Sequence, residues 1–230
     1  MGLVTAALGW GALAAASLVL GGLLGVAREW PDRVVGLVLA FGAGALISAV
    51  SFDLFEEGTD LAGGVPVAIG LAAGALTYVT LDRLVEARVP GAGAALALGA
   101  LLDGIPEQAV LGIGLASGAG VSISLLAAIF VSNLPEAIGA SSDLRDAGRT
   151  PAAVLRMWGA VAVVCALASV VGFALADAAS GGLKAGINGF AAGALLVMLV
   201  DSMVPEATRK AGRPAGLVTV LGFALAAALA

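Results

Sequence analysis

The chain is a succession of eight apolar stretches, approximately 3–27, 34–55, 63–81, 91–116, 121–141, 152–177, 186–204 and 212–229, divided by short charged or Gly/Pro-rich breaks. Roughly 20 apolar residues let a helix cross a bilayer, so each stretch reads as one membrane span. Composition agrees: 60% of the residues are hydrophobic, 12% are charged and the mean hydropathy is +1.08. A water-facing surface cannot be built from so few charges. The expected fold class is therefore all-α, a polytopic membrane protein of eight transmembrane helices in a single domain over residues 1–230. Soluble enzymes, disordered tails and nucleic-acid modules are excluded. A net charge of −5 with eleven Lys and Arg leaves no basic patch for phosphate backbones. No Lys or Arg precedes the first stretch, so it reads as a span and not as a cleaved leader.

Positive charge orients the spans, because cytoplasmic loops collect Lys and Arg. Arg28, Arg33, Arg83, Arg88, Arg145, Arg149, Arg156, Arg209, Lys210 and Arg213 all belong to connections 1–2, 3–4, 5–6 and 7–8. The other three connections hold only Lys184. The expectation is a multi-pass protein of the plasma (cytoplasmic) membrane with both termini on the non-cytoplasmic side. The bilayer is its first partner. Trp30, at a span end, reads as an interface anchor. The 34 glycines, with many alanines, let helices approach closely where lipid offers no hydrophobic contrast.

The second and seventh spans resemble each other. One reads Phe41-Gly-Ala-Gly-Ala-Leu and reaches Glu57; the other reads Phe190-Ala-Ala-Gly-Ala-Leu and reaches Glu206 at the same offset. Asp53 and Asp201 fall in the same stretches, one register apart. Spans two and seven cross in opposite directions, so an inverted repeat pairs spans 1–3 with 6–8 and leaves four and five as a central pair. Inverted repeats of this kind mark secondary transporters.

The central pair carries the strongest chemical signal. Span four contains Asp103-Gly104-Ile105-Pro106-Glu107-Gln108, and span five contains Ser132-Asn133-Leu134-Pro135-Glu136-Ala137. Asp103 and Glu107 are four apart and share a helix face, as do Ser132 and Glu136. Each proline removes a backbone donor and displaces a carbonyl four residues back, that of Leu102 or Val131. A carboxylate at the bilayer centre costs on the order of 3 kcal/mol. Asp103, Glu107 and Glu136 share one region with no Lys or Arg at comparable depth. They must be protonated, hydrated in a cavity or paired with a mobile cation, so protons and metal compete for them. The donors are all oxygen: carboxylates, the Asn133 amide, the Ser132 hydroxyl and freed carbonyls. Such a set suits hard or borderline divalent ions, and Zn and Fe(II) also accept carboxylates.

Other residues are less specific. Asp53, Glu56, Glu57 and Asp60 fall at the outer end of span two, as an acidic mouth that concentrates cations or as solvated loop charges. Asp201 and Glu206 sit at the inner end of span seven as an exit counterpart. Gln108, beside Glu107, and Ser48, in the polar register of span two, are weaker candidates. Cys165, Met198 and Met203 offer soft ligands, but read first as packing residues. A single cysteine excludes an internal disulfide, and the absence of histidine removes the commonest metal ligand and general base together.

On these residues the chain resembles the ZIP (Zrt/Irt-like) family of divalent metal transporters. That family reads His-Asn-x-Pro-Glu-Gly and His-Glu-x-Pro-Glu-Gly in spans four and five. Here the two Pro-Glu pairs match, while Asp103 and Ser132 stand where the family has histidine. Asp53-Leu54-Phe55-Glu56-Glu57 is similar to the family's His-Leu-x-Pro-Glu, and span seven ends in Val204-Pro205-Glu206. The resemblance implies eight spans in a 3+2+3 arrangement. It also implies a principal metal site at Asp103, Glu107, Ser132 and Glu136, with Gly104 and Asn133 at a neighbouring second site. Gly104 has no side-chain ligand, and span six is apolar from Trp158 through Ala176 where the family often supplies another carboxylate.

The function expected is a divalent metal cation transporter that holds its ion between spans four and five and works by alternating access. The metal (Zn, Mn, Fe or similar) is the transported substrate, with no prosthetic group and no enzymatic activity. The expected partners are divalent cations, the bilayer and, for the oligomer, a second copy in a homodimer. Two rivals use the same acids: a proton-linked carrier of a non-metal substrate, and a metal-binding relative that does not transport. An intramembrane aspartyl hydrolase would have only Asp103 and Asp201 for its dyad.

Overall fold

The structure, a computed structural model, describes residues 2–88, 92–118 and 120–229. Residues 89–91, the end of connection 3–4 and the first residue of the stretch expected at 91–116, lie outside the described residues. The described residues form helices throughout: α1 (Leu3–Ala27), α2 (Asp32–Ala62), α3 (Gly64–Arg88), α4 (Ala92–Ser117), α5 (Ile123–Asp146), α6 (Pro151–Asp177), α7 (Gly181–Ala211) and α8 (Pro214–Ala227). Seven are long and apolar enough to cross a membrane. The eighth has 14 residues, about 21 Å of helix, and is shorter than the stretch expected at 212–229.

Four helices run further than hydropathy suggests: α3 continues past 81 to Arg88, α5 past 141 to Asp146, and α2 and α7 overrun as well. The stretch expected at 34–55 continues as helix to Ala62, and the one at 186–204 extends from Gly181 to Ala211. Each of these last two contains a π-helical segment, Val50–Glu56 in α2 and Leu199–Met203 in α7. These segments begin at the same interval as the Phe41 and Phe190 motifs, so the two halves share a backbone irregularity as well as residues. Segments of this type widen a helix by one residue per turn and concentrate at functional sites. The prolines do not act as breaks: α4 continues through Pro106 and α5 through Pro135.

Packing repeats the same symmetry. Helix α3 lies chiefly along α7, and α8 along α2; α1 lies along α5, and α4 along α6. Exchanging the first three helices for the last three and α4 for α5 maps each of these pairs onto another. Small residues set the close approaches. A Cβ on Gly42 would stand 2.8 Å from the Ser132 Cα, so α2 presses its backbone onto α5 at that serine.

Buried polar groups are used at helix junctions. Arg145 donates to the Gly25 and Val26 carbonyls at 3.3 and 3.1 Å, filling acceptors that the end of α1 leaves open. Fully buried Trp158 packs on Gly22 and donates its indole N–H to Ser141 Oγ at 2.8 Å. Replacing Trp158 with Phe strands a buried hydroxyl. The expected loss is about 1–3 kcal/mol, read as a lower melting temperature in detergent.

Two ends of the bundle can be told apart by their cavities. At the first end, a cavity of about 540 Å³ is lined by Phe52, Asp53, Glu56, Glu57, Asp60, Leu61 and Ala227. A second, of about 260 Å³, joins Asp53 and Glu57 to the α4–α5 turn and Leu229. At the other end, Trp30, Asp32, Asp143, Asp146, Arg209 and Lys210 line a cavity of about 370 Å³. The end of α8 thus shares its end of the bundle with the end of α2.

Candidate metal centre

Helices α4 and α5 place Glu107, Ser132 and Asn133 deep inside the protein, each no more than 1% exposed; Asp103 is 8% exposed. Helical spacing puts Asp103 one turn before Glu107 on the same face. Ser132 reaches Glu107 from α5, its hydroxyl 3.3 Å from Oε1. The same hydroxyl lies 2.9 Å from the Ile129 carbonyl, and with one proton it donates to one of these acceptors at a time. Glu136, on the next turn of α5, is partly exposed and within electrostatic reach of Asp103, Glu107 and Glu206.

The polar atoms here are incompletely matched. Among the described residues Glu107 Oε2, Asn133 Nδ2 and Ser48 Oγ are buried without a hydrogen-bond partner. Ser48, 1% exposed, comes from α2, the helix that presses on Ser132 through Gly42. An unmatched buried carboxylate oxygen is costly. Lys210, the salt-bridged cation, pairs with Glu206 Oε1 at 2.7 Å, and no described ion pair reaches Glu107.

Not every candidate joins this group. Gln108 turns to α1, its amide oriented to donate to the Gly11 carbonyl at 3.1 Å and accept from the Ala15 N–H at 3.3 Å. It clasps two helices together and does not face Glu107's partners. Asp53 and Glu57 line the cavities of the first end, where Ser122 Oγ, the N-cap of α5, lies 3.3 Å from Asp53 Oδ2. These acids stand on the last turns of α2, not on a loop. Asp201 is exposed on the outside of the bundle. One residue of register turns a helical side chain by about 100°, and the π-segment changes the facing again. Among the described residues, no three His, Cys, Asp or Glu side chains converge closely enough to hold a metal ion. Asp103, Glu107 and Glu136 are neighbours that are not gathered on one point.

Tyr78 escaped the sequence reading, and Cys165 stood there as a packing residue first and a soft ligand second. Tyr78 of α3, 5% exposed, donates its hydroxyl to Asp103 Oδ1. Cys165 of α6 is fully buried, with Sγ 2.7 Å from where a Cβ on Gly104 would stand, and within electrostatic reach of Glu107 and Glu136. Gly104 contributes no ligand but makes room for the thiol. Its spacing from the two acids was visible only as an apolar run.

No family profile matches the chain. It is similar to a protein of Arabidopsis thaliana named "Putative zinc transporter", 31% identical over 197 residues that cover 80% of this chain. The match spans 31% of that protein, so this chain corresponds to about a third of its curated relative. A chain with seven membrane-length apolar helices and a relative so named is a membrane protein whose similarity points to the metal transporters.

Proposed function

We propose that the protein carries a divalent metal cation across the membrane, as a divergent ZIP-like transporter of eight spans in a 3+2+3 arrangement. The observation that supports this most directly is Glu107, a buried carboxylate with one oxygen unpartnered, in a helix pair where no described Lys or Arg neutralises it. A mobile cation supplies the missing charge. Asp103, Glu107, Ser132, Asn133 and Glu136 are the ligand set, with Ser48 reaching in from α2. Because the three acids are not gathered in this structure, the ion itself draws them together. Cys165 adds a soft donor to an otherwise hard set, which favours zinc-like ions over magnesium.

By the charge rule the first end faces the non-cytoplasmic side of the plasma membrane. Asp53 and Glu57 then stand at the entrance, and Glu206 with Lys210 at the exit. Alternating access moves one helix group against the other around the central pair.

The test is uptake into proteoliposomes of Zn, Mn, Fe(II), Co, Cd and Mg. Flux of at least one ion is expected, with protons competing as pH falls. Flux that follows pH but ignores every divalent ion favours the proton-linked carrier instead. At the entrance, Asp53→Asn with Glu57→Gln removes two charges that concentrate cations. The expected result is a half-saturating concentration raised about twofold to tenfold at low ionic strength, the difference closing at high salt. A salt-independent change would mean that these acids ligate the ion directly.

A further inference from the structure

The hydrogen bond from Tyr78 to Asp103 joins two helices that otherwise share little. Helix α3 packs chiefly along α7, and α4 along α6; the contact between α3 and α4 is sparse. Both partners are buried, and Tyr78 is the sole tyrosine of the chain. A phenol donating to a carboxylate is a charge-assisted bond, stronger than a neutral pair. It draws Asp103 toward α3, while the Ser132 hydroxyl of α5 lies 3.3 Å from Glu107 and shares its proton with the Ile129 carbonyl. The two acids lie one turn apart on one helix face, so their side chains are neighbours. Each carboxylate thus has a protein hydroxyl within reach, from α3 on Asp103 and from α5 on Glu107.

We propose that Tyr78 is an internal competitor for the transported cation. Its hydroxyl holds Asp103 toward α3, and a divalent ion seated at Glu107 takes Asp103 from it, unlatching α4 from α3. The inference rests on the metal-carrier reading and adds to it a link between occupancy and movement. A ligand shifts a conformational equilibrium only by its differential affinity for the two states. Here the difference is local: the latched state withholds a carboxylate, and the released state offers it. The phenol is a positioning residue, acting on the ion through Asp103.

Tyr78→Phe keeps the ring and removes the competing proton. Divalent affinity should rise about threefold to tenfold, within the worth of a hydrogen bond to a charged acceptor. The sole tyrosine also gives a direct reading. Ultraviolet resonance Raman of purified protein in detergent, titrated with Zn or Mn, reports the hydrogen-bond state of Tyr78 alone, and calorimetry on the same samples reports binding. The expected result is a saturable change from a carboxylate-bound to a weakly bonded phenol. It should track metal binding in the parent and be absent in Glu107→Gln. Metal binding that depends on Glu107 but leaves the tyrosine bands unmoved would overturn the latch and spare the carrier reading. So would a Tyr78→Phe variant that binds no tighter than the parent. No binding of any divalent ion by the parent would overturn both.

Discussion

Glu107→Gln is expected to lose about a hundredfold or more of divalent uptake and to gain stability at the same time. Even outer-sphere partners of a metal typically matter by about tenfold to a hundredfold, and Glu107 is proposed as a ligand. Glutamine keeps the shape and an acceptor for the Ser132 hydroxyl 3.3 Å away. It replaces the unpartnered Oε2 with an N–H group that repels a cation. The stability gain follows from the same burial. A carboxylate 1% exposed with no ion-pair partner among the described residues is a liability in the absence of cargo. To whatever extent the cargo-free carboxyl is ionised, removing its charge relieves that desolvation cost. Uptake in proteoliposomes and thermal unfolding in detergent, measured on one preparation, give both numbers. An inactive variant that is also less stable would assign Glu107 to the fold. Undiminished uptake would remove it from the site.

The second large effect concerns the frame that holds α2. A Cβ on Gly44 would come within 2.8 Å of backbone atoms at Thr219 and Phe223 of α8. Neither helix has a flexible side chain there to move aside, so Gly44→Val must separate α2 from α8. Overpacking of a close-fitted interior costs about 1–3 kcal/mol, and backbone-on-backbone contact belongs at the upper end. Because α2 also presses on Ser132 through Gly42, the loss should reach the site as well as the fold. Size-exclusion profiles after heating should show the variant aggregating well below the parent. Gly216→Ala, on the same helix α8 with nothing within 4 Å of its new methyl, is the matched control and should be neutral. Equal stability of the two variants would mean that α8 is not seated against α2.

Much of this was readable from residues alone, and the reasons are physical. A membrane span must be long and apolar because no water satisfies or solvates it. Hydropathy therefore located all eight helices to within a few residues at most ends. The Phe41 and Phe190 motifs announced a repeat, and the matching π-segments and helix pairings follow it. Buried acids are expensive in a bilayer, so Glu107 and Asp103 drew attention from charge balance before any geometry. Hydropathy failed where a helix outlasts its apolar face. The acids from Asp53 to Asp60 read as the end of a span, yet they stand on continuing helix and line the cavity at that end of the protein.

What a side chain faces was decided only in three dimensions. Gln108 adjoins Glu107 in sequence, but one residue along a helix points elsewhere, and it clasps α1. Asp201 resembles Asp53 in a string of letters, and the one-residue offset leaves it outside the bundle. Tyr78 and Cys165 lie 25 or more positions from the residues they meet, in runs that look like ordinary packing. Sequence by itself determined that the chain is helical and membrane-spanning, that it is internally repeated and that it carries uncompensated buried acids. Those properties follow from local composition and period. Which donors stand between the acids, and which helices they tie together, depended on contacts between distant segments, and those exist only once the helices are packed.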